Sequence, residues 1–231
     1  MATRPPSAVI AVGLVTVAFW AGLLAVIART SFGGDPRGML YLGQTLAHPR
    51  AFDGVPRCGR FGFDGQFYAA LATDPFLRSP ETLKALDAPG YRASRILIPM
   101  LAWCVSLGNA RTAIVAYQLL CWVLGAAAVF LAAVWLRREG GSPWLALVLA
   151  VNAGLVTAML RSTPDGAATA LVVATLLLHR AGRHGAGIAA ASLATLARET
   201  GIIAPLACAV QEFTEGNPRS GLRYLLIPVA P

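Results

Sequence analysis

The chain has 231 residues, 56% hydrophobic and only 13% charged, with 19 basic side chains against 11 acidic ones. That excludes a disordered chain, which needs low hydrophobicity and high charge, and an ordinary soluble domain, in which about 25% of residues are charged. The net charge of +8 does not describe a nucleic-acid surface either: the basic residues, all arginine but one, are scattered between apolar runs and read as topology signals and lipid-phosphate contacts.

Three runs carry no charge at all: residues 7–28, 112–136 and 140–160. Each exceeds the roughly 18 residues that suggest a membrane-spanning helix. The expected fold is all-α, a polytopic transmembrane helix bundle with a long extracytoplasmic first loop that contains short juxtamembrane helices. After a short tail with Arg4, residues 1–28 hold the first transmembrane helix. The small residues around Ala28 would suit signal-peptide cleavage, but the run is long for a signal peptide and reads as a retained helix.

Residues 29–111 form the expected outer loop and hold six of the 11 acids. Ser79-Pro80-Glu81 is a helix start: an N-cap, a proline at the first helical position and an acid that suits the helix dipole. Residues 36–46 and 63–72 each have the length for two or three turns. The apolar run 96–108 is too short to span and reads as an interfacial or re-entrant helix. Arg92 and Arg95 precede it, three apart, on one face of any helix they share.

Residues 112–231 read as a helix bundle that ends inside a new apolar run, residues 224–231, as the N-terminal part of a larger membrane protein would. If 96–108 does not cross, 112–136 runs inward and delivers Arg137 and Arg138 to the cytoplasm. Residues 140–160 then run outward to Arg161 and Asp165. The next stretch, ending near His179, returns Arg180 and Arg183 to the inside. Residues 185–197 lead out to Arg198 and Glu199, and 201–210 come back to Arg219 and Arg223. The arginine clusters then fall inside, as the positive-inside rule requires. The four cysteines (Cys58, Cys104, Cys121, Cys208) include no CxxC, and His48, His179 and His184 have no metal-ligand spacing, so neither a disulfide framework nor a metal site is expected. No nucleotide- or cofactor-binding motif is present.

This topology gathers Asp35, Asp64, Arg92, Arg95, Arg161, Asp165, Arg198 and Glu199 on the outer side. Charges at helix ends beside a bilayer are costly unless paired or wetted, and in a group they point to a functional cavity. A loop carboxylate can take a proton from a substrate hydroxyl, and arginines can hold a phosphate as it leaves. Both together suit a lipid-linked sugar as donor, since nucleotides are not supplied outside the cytoplasm. Each residue also has a structural reading. Asp64 and Asp165 can be helix N-caps, Asp165 can pair with Arg161, Arg92 and Arg95 can be snorkelling anchors, and Arg198 and Glu199 can neutralise each other.

The stretches Phe61-Gly-Phe-Asp64-Gly-Gln-Phe-Tyr68, Tyr91-Arg92, Arg95-Ile-Leu-Ile-Pro99 with Trp103, and Arg161-Ser-Thr-Pro164-Asp165 together resemble bacterial integral-membrane glycosyltransferases of the GT-C superfamily, and the likeness runs over nearly the whole chain. The resemblance implies a hexosyl- or mannosyltransferase-like enzyme of the cell envelope in the bacterial inner membrane. Its active face would be extracytoplasmic, and it would invert the sugar as it moves it from a polyprenyl phosphate to a saccharide or glycolipid acceptor. It implies no cofactor and leaves metal dependence open. Asp64, in the most distinctive motif, would be the general base, with Asp35 as rival. Arg92 and Arg95 would bind the donor phosphate, and Arg161, Asp165, Tyr68, Tyr91, Arg198 and Glu199 would complete the site. The competing readings are a carrier of lipid-linked saccharide, which needs the arginines but no base, and a non-catalytic subunit.

Overall fold

The computed structural model describes residues 6–226, and these are built from helices; the only β pairing among them is an isolated bridge between Leu42 and Arg57. The tail with Arg4 and the end of the last apolar run, residues 227–231, lie outside the described residues. The first run forms helix α1 (Pro6–Ser31). Val9, Val12, Thr16 and Trp20 recur at three- and four-residue steps and are buried, while Ile10, Leu14 and Val17 on other faces are exposed. The Trp20 indole N–H donates to the Ala150 carbonyl at 2.9 Å and ties α1 to the third apolar run.

Residues 29–111 carry two short 3-10 turns (Pro36–Leu40 and Arg50–Phe52) and four short helices: α2 (Gly65–Thr73), α3 (Pro80–Ala85), α4 (Pro89–Ala93) and α5 (Leu97–Val105). The helix expected over 36–46 stops at Leu40, because Tyr41 adopts a left-handed backbone with φ 51°. The Ser79 hydroxyl accepts from the Glu81 N–H at 3.2 Å, the cap that the sequence predicts. Nine residues give α5 about 14 Å of length, less than half of the roughly 30 Å hydrocarbon layer. The segment has its own apolar core, in which Leu40, Leu42, Phe52, Tyr68, Leu71 and Ile98 pack on Ile114 and Tyr117 of the next helix.

That helix, α6 (Ala110–Arg138), begins at Asn109, whose side chain accepts from the N–H groups of Arg111 and Thr112 at 3.1 Å each. Ala113, Tyr117, Cys121, Gly125 and Ala128 form its buried stripe, and Val115, Leu119, Val123 and Phe130 its exposed apolar one. A helix that is apolar all round needs apolar surroundings on every side. By length and composition α1 and α6 can both cross a membrane, with mean hydropathies of 2.5 and 2.4.

The third run departs from expectation. Residues 140–160 do not make one straight helix: a 3-10 turn (Pro143–Ala146) leads into α7 (Leu147–Ala150), and α8 (Ala153–Leu160) follows at a 57° bend. The cause is Asn152, whose side chain accepts from the N–H groups of Gly154 and Leu155 at 3.0 and 3.3 Å and so starts a new helix inside the run. By length and composition, the bent pair is a third candidate span among the described residues only if it counts as one.

Helices α9 (Asp165–Arg180), α10 (His184–Ala197), α11 (Ile203–Thr214) and α12 (Pro218–Leu225) complete the structure. α9 crosses α6 where Gly166 meets Gly125; a Cβ on Gly166 would lie 2.8 Å from the Gly125 Cα, so only small residues allow the approach. At 16 and 14 residues, α9 and α10 are about 24 and 21 Å long, shorter than a full span.

Candidate active site

The Asp64-Gly-Gln-Phe-Tyr68 motif opens α2, and each of its residues has a physical reason. A Cβ on Gly65 would sit 2.0 Å from the Arg161 carbonyl oxygen, so glycine lets the backbone after α8 lie directly against α2. The buried Gln66 amide accepts from the Gly43 N–H and donates to the Phe61 carbonyl, both at 2.9 Å, which holds the turn in place. The Phe67 ring faces the Arg92 guanidinium, 4.5 Å from its centroid. Tyr68 places its phenol oxygen between Arg92 and Arg95, accepting at 3.2 Å from one and 2.7 Å from the other. Asp64 occupies the N-cap position of α2 but makes no capping hydrogen bond. Its Oδ1 accepts from Arg92 Nη2 at 3.0 Å instead.

Arg92 and Arg95 are 5% and 4% exposed, so they are not snorkelling anchors. α4 and the turn after it aim both at Tyr68. Arg92 grips Asp87 with two parallel bonds of 2.8 Å while it holds Asp64. Arg95 Nε donates to Glu199 Oε2 at 2.7 Å, and its Nη2 reaches both Glu199 Oε1 and the Tyr91 phenol. Three carboxylates thus share two guanidinium groups. The side chains of Asp64, Asp87 and Glu199 are 47%, 45% and 44% exposed, so a cationic floor carries an acidic rim.

The hydrogen bonds from Arg92 hold the Asp87 carboxyl below the usual carboxylate range. Burial pushes the Glu199 carboxyl up, but the hydrogen bonds and charge of Arg95 outweigh it and the net shift is downward. Burial likewise works against the charged form of Arg92, and its bonds to Asp87, Asp64 and Tyr68 reverse the effect. The Tyr68 phenol is raised by burial against the pull of both arginines.

The remaining predicted residues fall into two groups. Asp165 and Arg198 form an ion pair, and the Thr163 hydroxyl donates to Asp165 Oδ2 at 2.6 Å. Asp165 therefore pairs with Arg198 rather than Arg161, and Arg198 and Glu199 do not neutralise each other but turn to partners elsewhere in the chain. Arg161 lies over the Tyr41 ring at 3.4 Å and near the Phe63 ring at 5.1 Å, with no carboxylate partner among the described residues. Asp165 and Arg198 also line a cleft of about 210 Å³, together with Ala168, Thr169, Val172 and Thr200.

Asp35 stands apart. Both of its oxygens bind Arg37, at 2.7–3.1 Å, and Oδ1 also caps the following turn through the Arg37 N–H, which lowers its pKa. None of its hydrogen bonds reaches the Arg92 cluster. Asp87 and Gln66 are the participants that the sequence reading missed. Asp87 had a local signal, an acid five residues before Arg92, but the pairing of Arg95 with Glu199 spans 104 residues and had none. The α9–α10 hairpin also sets His179 and His184 side by side with Glu212, although the spacing of the histidines in the sequence predicts no metal site.

Comparisons with protein-family models, with curated proteins and with solved structures found no match.

Proposed function

We propose that the protein is an integral-membrane glycosyltransferase that moves a sugar from a polyprenyl phosphate to a hydroxyl of a saccharide or glycolipid acceptor, with inversion, on the outer face of a bacterial inner membrane. In this reading α1 and α6 are spans, the bent α7–α8 pair and helices α9–α11 complete a polytopic bundle, and residues 29–111 lie outside the cytoplasm. The observation that carries it is the half-exposed Asp64 carboxylate, tied through one oxygen to buried Arg92, beside a segment that brings up Arg161 with no carboxylate partner.

The chemistry follows from that arrangement. Asp64 Oδ2, which has no hydrogen-bond partner among the described residues, takes the acceptor hydroxyl's proton as that oxygen attacks the anomeric carbon. The bond from that carbon to the phosphate oxygen breaks, and polyprenyl phosphate departs with the electron pair. Arg161 neutralises the charge that develops on it. Arg92 and Arg95 have most of their donors occupied by carboxylates and Tyr68, so their part is to hold Asp64 and the rim in place from below. The cleft lined by Asp165, Arg198, Ala168 and Val172 offers both charge and apolar surface to the head and first isoprene units of a prenyl phosphate.

Asp64→Asn should lower sugar transfer from a polyprenyl-phosphate donor by about 10²–10⁴-fold in isolated membranes, with protein abundance unchanged. Transfer at the parental rate in that variant removes Asp64 as the base.

A further inference from the structure

At the far end of α9 from Asp165 lies a cluster of different chemistry. The chain turns through Gly182, at φ 68°, and the turn brings His179 of α9 against His184, the first residue of α10, with ring centroids 5.4 Å apart. Glu212 of α11 reaches both rings. Its Oε1 lies 3.7 Å from His179 Nδ1 and 3.6 Å from His184 Nδ1. Glu212 is 4% exposed and His179 6% exposed, and the Glu212 carboxylate has no hydrogen bond to another described residue. His184 Nδ1 is itself buried without a hydrogen-bond partner. The Tyr224 phenol, 3.1 Å from His179 Nδ1, is the remaining polar neighbour.

His184 Nδ1 is thus buried without a partner, and the Glu212 carboxylate, at the inner end of a cleft, has only imidazole nitrogens at ion-pair distance. A proton shared between imidazole and carboxylate would draw the heavy atoms to about 2.7–2.9 Å. The observed separations are longer than that. They come closer to the edge of a coordination polyhedron, in which two ligand atoms each about 2.0–2.2 Å from a tetrahedral zinc ion lie roughly 3.3–3.6 Å apart. The three ligand atoms lie within 4.8 Å of one another. Two imidazoles and one carboxylate form a borderline-soft donor set that suits zinc and its neighbours rather than calcium or magnesium. A cleft of about 560 Å³, lined by His184, Glu212, Asn217, Ser220 and Arg223, leads to the cluster from outside.

We propose that His179, His184 and Glu212 bind one divalent transition-metal ion, with zinc the best match, joining α9, α10 and α11 and leaving a fourth coordination position open to the cleft. The ion would take the His179 lone pair that faces the Tyr224 phenol and would satisfy both unpartnered groups, Glu212 and His184 Nδ1. The site is independent of the glycosyltransferase reading and stands or falls without it.

The test uses the full chain purified in detergent and stripped with a chelator, then titrated with zinc against a chromophoric competitor. Expected are one zinc per chain, a rise in melting temperature on adding zinc, and visible absorption from low-coordinate Co²⁺ when cobalt replaces it. His184→Ala, at a half-exposed position that folding tolerates, should weaken zinc binding by at least about tenfold and abolish both the thermal shift and the cobalt band. Glu212→Gln should do the same, and His48→Ala should change nothing. Absence of zinc binding by the parent chain overturns the proposal. So does binding that His184→Ala leaves intact, which would place the metal on other residues, such as the cysteines.

Discussion

The two ends of α9 solve the problem of buried charge in opposite ways. At the Asp165 end, the arginines that reach the interior meet carboxylates whose other faces stay in solvent: Arg92 with Asp87 and Asp64, Arg95 with Glu199, Arg198 with Asp165. At the His179 end the buried group is the carboxylate itself, Glu212, and its neighbours are imidazoles too distant to hydrogen-bond with it. At the first end the carboxylates are paired with arginines of the same chain, and the buried atoms left without a hydrogen bond among the described residues are Arg198 Nε and the Ser162 hydroxyl, so a ligand there works mainly through the acidic rim and Arg161. At the second, a bound cation would give Glu212 and His184 Nδ1 the partner they lack. Buried polar groups in folded proteins are nearly always satisfied, so an unsatisfied set marks where a ligand belongs.

The contrast can be broken most forcefully at Glu199. Glu199→Ala leaves Arg95 buried with only phenol oxygens as partners, and stability should fall by about 3–5 kcal/mol, read as thermal unfolding in detergent. A loss below about 1 kcal/mol would mean that water reaches Arg95 and that the floor is not dry. Acid titration examines the same end. The folded-state pKa values of Asp87 and Glu199 are both depressed. Their stabilisation is therefore complete above the unfolded values of about 4 and is lost as the pH falls through the lower folded values. The acid limb of the unfolding curve should lie below pH 4, roughly, and should be shallower in Glu199→Ala.

Gly65→Ala sharpens the geometric half of the comparison. The added methyl meets the Arg161 carbonyl, and the expected cost is about 1–3 kcal/mol with a displaced Arg161. A neutral substitution would show that α2 and the turn after α8 are not in contact. The smallest effect belongs to the other end. Tyr224→Phe removes one hydrogen bond to His179 and should cost about 0.5–1.5 kcal/mol in the metal-free protein. A much larger loss would show that the phenol, rather than a cation, is what satisfies that cluster.

How much of this was legible in the sequence differs by element. The runs that became α1 and α6 were plain, because each is a long stretch without charge, and the Ser79 cap and the shortness of α5 were plain for local reasons as well. The break at Asn152 is hidden from hydropathy, because an uncharged asparagine does not interrupt an apolar run, yet its side-chain oxygen accepts from backbone N–H groups and restarts the helix. Of the eight charged residues that the topology gathers on one side, Asp64, Arg92, Arg95 and Glu199 lie in one hydrogen-bonded cluster around Tyr68, and Asp165 and Arg198 form a separate pair. Asp35 was drawn in by its position after α1, where it serves its own turn and Arg37.

Composition and run length alone determined that the chain is helical and that two of its helices can enter a membrane, since the free energy of transfer into hydrocarbon is summed over consecutive residues. Which acid neutralises which arginine, and that two histidines and a glutamate meet across three helices, was decided only by the tertiary structure. Electrostatic and coordination energies depend on distances of a few ångströms in space, and residues 104 positions apart, such as Arg95 and Glu199, carry no trace of that distance in their spacing along the chain.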